Sequence, residues 1–93
     1  MIYFTVETFV RSALGNIPRF GDSEHKVDAD FFERGSIIEV KQLIHQAFEN
    51  IKRTLENHEK LSEIDQYIGR VARARSNSEI AEIVSEYVEH IEN

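Results

Sequence analysis

Residues 36 to 55, SIIEVKQLIHQAFENIKRTL, are the stretch whose reading decides the fold. Ile37, Val40, Leu43, Ile44, Ala47, Phe48, Ile51 and Leu55 recur at steps of three and four, which winds them into one broad apolar face on a helix. Glu39, Gln42, Gln46, Glu49 and Arg53 fall opposite. Ser36 and Glu39 have the spacing of a capping box, with the hydroxyl and the carboxylate each accepting from an orphan amide. A helix of about five turns with so wide an apolar face needs other helices around it, so the expectation is a helical bundle with this element at its centre.

The flanking sequence supplies the other helices. Ser62 and Asp65 are expected to open a helix with the buried stripe Leu61, Ile64, Ile68, Val71 and Ala72 and with Tyr67 at its margin. Ser76-Asn-Ser-Glu79 is a second capping box, followed by the stripe Ile80, Ile83, Val84, Tyr87, Val88 and Ile91. On the N-terminal side, Ile2, Val6, Phe9, Val10 and Ala13 predict a helix over residues 2–14, stopped by Gly15 and Pro18. A strand at Ile2 to Val6 is the rival, since Ile-Tyr-Phe-Thr-Val is rich in strand formers; on the helix, Phe4 faces away from the stripe. Residues 16–28 lack periodicity and read as a long loop. Asp28 can then cap a short turn through Phe31, Phe32 and Glu33, ended by Gly35. The predicted architecture is all-α: one domain over residues 1–93, an antiparallel bundle of about four helices with a long loop after the first.

Composition agrees and narrows function. The chain has 93 residues, 41% hydrophobic and 30% charged, with one Pro, four Gly and no Cys. That balance belongs to a folded domain, and the scarcity of turn formers argues against a β-sandwich. Without Cys there is no disulfide framework, thiolate zinc site or cysteine nucleophile, which suits a reducing cytoplasm. The apolar runs are too short to cross a bilayer, and the N-terminus lacks a basic leader. A domain this small sits near the size at which one core can hold a fold, so self-association through surplus apolar surface is expected.

The net charge is −6, and it is unevenly placed: residues 1–75 hold 12 acidic and 11 basic side chains, whereas residues 76–93 hold five glutamates and no Lys or Arg. At roughly 100° per residue, Glu79, Glu82, Glu86 and Glu89 share one outward face, opposite Ile80 and Val84. Within their own helix no Lys or Arg stands at i±4 to relieve their repulsion, which marks the stripe as a docking surface for a basic protein partner. Six of the nine aromatics (Tyr3, Phe4, Phe9, Phe20, Phe31, Phe32) precede residue 33. Phe20, Phe31 and Phe32 form a second candidate contact surface.

Other chemistries find less support. Di-metal bundles need Glu-x-x-His ligands facing inward, and none occurs; Glu86 and His90 alone are too few for a metal. Asp28-Ala-Asp30 with Glu39 has an EF-hand outline but lacks the turn glycine, so calcium is not expected, and no cofactor motif is present. Arg70, Arg73 and Arg75 end one helix where its macrodipole favours cations, and the acidic helix that follows would repel phosphate, which argues against nucleic acid.

Three local likenesses remain. Ser76-Asn77-Ser78-Glu79-Ile80-Ala81 resembles the Ser-Asn-x-Glu-Ile-Ala stretch of LuxR-type helix-turn-helix domains, although Glu86, Glu89 and Glu92 stand where that family carries cations. Arg53-Thr-Leu-Glu-Asn-His58 is similar to the Arg-x(4 to 6)-His motif of HEPN ribonucleases, and so is Arg19 to His25; the likeness implies a ribonuclease using Arg53 and His58. In size and outline the chain resembles helical immunity or antitoxin-type inhibitors, such as bacteriocin immunity proteins. The leading expectation is a non-enzymatic interaction or regulatory module, with the ribonuclease as its alternative.

Overall fold

Five α-helices and a closing π-helical turn account for nearly all of the described chain: α1 (Ile2–Leu14), α2 (Ala29–Arg34), α3 (Ile37–Thr54), α4 (His58–Arg73), α5 (Asn77–Tyr87) and the turn Val88–Glu92. The structure, a computed structural model, describes residues 2–14, 28–56 and 58–92, with nothing stated of the side chains at 91 and 92. The expected loop over residues 16–28 therefore lies almost wholly outside the described residues, as do Phe20, His25 and Arg19. No strand occurs among the described residues, so the N-terminal segment is the helix and not its rival.

α3 is the central element. Its Val40, Leu43, Ile44, Ala47 and Phe48 are buried, as the apolar face requires, and α3 packs against α1, α4 and α5. α1 buries Val6, Phe9 and Val10 while Phe4 stays 59% exposed on its far side. The core is apolar among the described residues, with no buried polar or charged residue. At its middle, Phe48 meets Phe9 and Tyr87 at centroid distances of 5.1 Å each, and Tyr67 stacks on it from α4 at 6.4 Å. Tilted and edge-on aromatic contacts of this kind add to the burial term.

Four sequence expectations are corrected. α4 begins at His58, a full turn before Ser62 and Asp65, because α3 ends at an extended Leu55 (φ −90°, ψ 137°) and little chain separates the two helices. At the end of α4, Ala72 is exposed, and Ala74, just past the helix, is buried instead. The Ala74 N–H donates to Val71 O at 3.1 Å. This i→i−3 bond tightens the turn by which the chain leaves α4. Phe32 is 1% exposed and belongs to the core, so it offers no surface to a partner.

The fourth correction concerns the caps. Ser36 makes no side-chain cap bond, and only its carbonyl is used, accepting from Val40 N–H at 2.9 Å. Ser76 does cap, accepting the Glu79 N–H at 3.1 Å, while Glu79 reaches back to the Arg75 N–H at 2.7 Å, one residue earlier than a capping box would have it. Loss of a serine cap costs about 1 kcal/mol. Ser76→Ala should accordingly lower stability by about that amount, and Ser36→Ala by no more than a few tenths, in parallel urea titrations. Equal losses would contradict the cap assignment.

Helix C-termini are closed by side chains from neighbouring helices. Asn50 of α3 donates to Ala13 O at 2.6 Å, Lys41 of α3 to Ala72 O at 2.9 Å, and Asn77 of α5 to Gly35 O at 2.8 Å and Glu33 O at 3.4 Å. Each bond satisfies a carbonyl that the helix itself leaves open. The short α2 is held at its other end by Asp28, whose carboxylate accepts the Phe31 N–H at 3.0 Å. Gly35 follows it at an ordinary φ of −70°, but a Cβ there would lie 2.5 Å from Phe31 O, so the residue is glycine for space.

Candidate functional site

The outer face of α5 and the polar side of α4 run beside one another, and there the chain's charges meet. Arg70 Nη2 donates to Glu86 Oε2 at 2.7 Å, and its guanidinium carbon lies 5.4 Å from the centroid of the Tyr67 ring. The hydrogen bond from Arg70 holds the Glu86 carboxyl below its ordinary range and, in return, raises Arg70 further. Burial, reinforced by the Glu86 charge, raises the Tyr67 phenol. All three groups keep one protonation state near neutrality. The arrangement suits charge recognition rather than proton transfer.

Two shallow depressions flank this pair. One, of about 270 Å³, is lined by Glu63, Gln66, Tyr67, Arg70, Glu86 and His90. The other, of about 330 Å³, brings Arg70 and Arg73 against Glu79, Glu82 and Glu86. The glutamate stripe is therefore less bare than its own helix implied. Glu86 is paired with Arg70, and Glu79 is engaged by the Arg75 backbone. Glu82 and Glu89 are exposed and make no ion pair or hydrogen bond among the described residues. Of the other predicted contact residues, Phe31 is half-buried and set edge-on to Phe32 at 5.4 Å, and Phe20 lies outside the described residues.

The alternative pair, Arg53 and His58, is split between two helices. Arg53 stands in the last turn of α3 and His58 is the first residue of α4; both are exposed. Arg53 borders a depression of about 680 Å³, in the company of His45, Glu49, Gln46 and Asn50, and His58 is not among its lining residues. His45 Nε2 and Glu49 Oε1 are 3.2 Å apart there. Sequence reasoning passed over this row, though the spacing 45, 49, 53 was legible as one helical face.

Asp28 and Asp30, the residues with an EF-hand outline, are spent on the α2 cap and on a 3.4 Å ion pair with Arg34. Among the described residues no group of three His, Cys, Asp or Glu side chains is placed to hold a metal ion, and no helix is long and apolar enough to cross a membrane. Comparison with protein-family models, with curated proteins and with solved structures finds no match to this chain.

Proposed function

We propose that this chain is a non-enzymatic protein-interaction module of the reducing cytoplasm, one that docks a basic protein partner on the outer face of α5. The observation that carries this reading is the division of the glutamate stripe. Two carboxylates are satisfied inside the molecule, and the exposed Glu82, on α5, and Glu89, in the turn that follows it, are not. Exposed carboxylates that make no ion pair or hydrogen bond of their own are open to a cation brought by another molecule, and such rim charges act chiefly on association rate and partner choice. An immunity- or antitoxin-like inhibitor, which covers a cationic surface of its target, would work in this way.

The test is capture from lysate, identification of the captured protein by mass spectrometry, and titration of the purified pair. Glu82→Lys combined with Glu89→Lys should weaken binding by roughly tenfold or more, and raised salt should weaken the wild-type complex. A partner indifferent to both changes would remove the stripe as its docking site. RNA cleavage by the purified protein that disappears in His58→Ala would assign the ribonuclease activity instead.

A further inference from the structure

The depression on the α4–α5 seam is not uniformly acidic. Arg70 and Arg73 from α4 face Glu79, Glu82 and Glu86 from α5 across a space of about 330 Å³. Arg70 is bonded to Glu86 at 2.7 Å, and Glu79 to the backbone N–H of Arg75. That leaves Arg73 on one wall and Glu82 on the other, both exposed and neither in an ion pair or hydrogen bond among the described residues. The Arg73 guanidinium lies back along its own helix, over Gly69: a Cβ on Gly69 would meet Arg73 Nη1 at 3.4 Å and Nη2 at 3.8 Å. Glycine is unfavourable in a helix interior, and here its bare backbone is the shelf on which the arginine rests.

Charge complementarity selects what can cover this depression. A purely cationic surface would suit Glu82, but it would bring like charge against Arg73 and close that guanidinium off from water without an acceptor. A purely acidic surface fails at Glu82 for the same reason. Both groups are satisfied at once only by a surface that sets a carboxylate beside a cation. A guanidinium takes a carboxylate through two parallel N–H···O bonds, so Arg73 selects for direction as well as for sign.

We infer that the protein segment docked on the α4–α5 seam is of mixed charge, a Lys or Arg set against Glu82 and a carboxylate set against Arg73, and that Arg73 is the residue that selects it. This rests on the docking reading of α5 and names the partner's chemistry more closely. Arg70, already bonded to Glu86, is not needed for the selection.

Two short helical peptides of equal net positive charge test this in fluorescence-anisotropy titrations of the full chain at low ionic strength. One has lysine as its only charged residue; the other carries a glutamate one turn from its lysines. The mixed peptide is expected to bind roughly three- to tenfold more tightly, a margin that added salt erodes. Arg73→Glu, at an exposed position where circular dichroism should match wild type, is expected to abolish or reverse that preference. Arg73→Lys, which keeps the charge and loses the fork, should retain part of it. A wild-type chain that holds the two peptides equally overturns the inference while leaving an acidic docking face, on which Arg73→Glu would strengthen both peptides alike. A preference that persists in Arg73→Glu removes Arg73 from the selection. Non-additive losses of stability for Arg73→Ala and Glu82→Ala in the free chain would show the two side chains paired with each other, and also overturn it. If neither peptide binds, or if Glu82→Lys alters neither, the docking reading of α5 falls and the inference with it.

Discussion

Phe48→Ala is expected to destabilise the protein by roughly 3–5 kcal/mol, the range for removing a fully buried aromatic side chain. Phe48 is 0% exposed and is the ring on which three helices converge, with Phe9, Tyr67 and Tyr87 around it. The truncation therefore loses transfer free energy, opens a cavity that those three rigid rings are badly shaped to fill, and deletes the aromatic contacts themselves. A domain of this size has a total stability of about 5–14 kcal/mol, so the substitution removes roughly a fifth of it or more. Equilibrium urea unfolding followed by far-ultraviolet circular dichroism would measure the loss. Phe48→Leu separates the contributions, because it keeps most of the burial and gives up only the ring contacts, each worth about 0.5–1.5 kcal/mol. A Phe48→Ala protein within 1 kcal/mol of wild type would mean that these helices do not converge on this ring.

Phe32→Ala is the second large effect, again about 3–5 kcal/mol, and it decides between two readings of one residue. From sequence Phe32 belongs to an aromatic contact surface; in the folded protein it is 1% exposed. α2 has six residues, too few to be helical by itself, and depends on this side chain, on the Asp28 cap and on the amide of Asn77. Its truncation should lower global stability and also speed amide exchange within α2, while Phe31→Ala, at a half-buried position, should cost less. If Phe32→Ala instead unfolded like wild type and lost only a partner, the aromatic surface would be restored and the core assignment of α2 would fall.

How much was legible beforehand follows from where each signal resides. The apolar face of residues 36–55, the stripe of α5 and the helical reading of residues 2–14 were visible because helical periodicity is a property of neighbouring residues in one chain. The Ser76 cap was visible for the same reason. The Ser36 box was equally plausible by its letters, but its hydroxyl is not used. The same local pattern gave opposite outcomes, and the two serines differ in backbone conformation: Ser36 at φ −60°, ψ 130°, Ser76 at φ −151°, ψ 159°.

The charge face shows the same limit more sharply. Within α5 the glutamates have no cation at i±4, and from that the whole stripe looked unrelieved. Arg70, sixteen positions earlier, pairs with Glu86 across the α4–α5 seam. No spacing rule reaches that far, so the candidate surface contracts to Glu82 and Glu89 only when the helices are set side by side. Likewise Arg53 and His58 are close together in the letters of one motif, and the break after Thr54 puts them on two helices.

By itself, then, the sequence determined which segments are helical and which faces they bury, since both depend on side chains brought together by the helix's own geometry. It also determined that the surplus negative charge lies on the last helix. Only the tertiary structure decided which carboxylates stay unpaired, which aromatics are hidden, and how Asn50, Lys41 and Asn77 close the ends of α1, α4 and α2. Those outcomes rest on contacts between residues dozens of positions apart, whose distances no local pattern encodes.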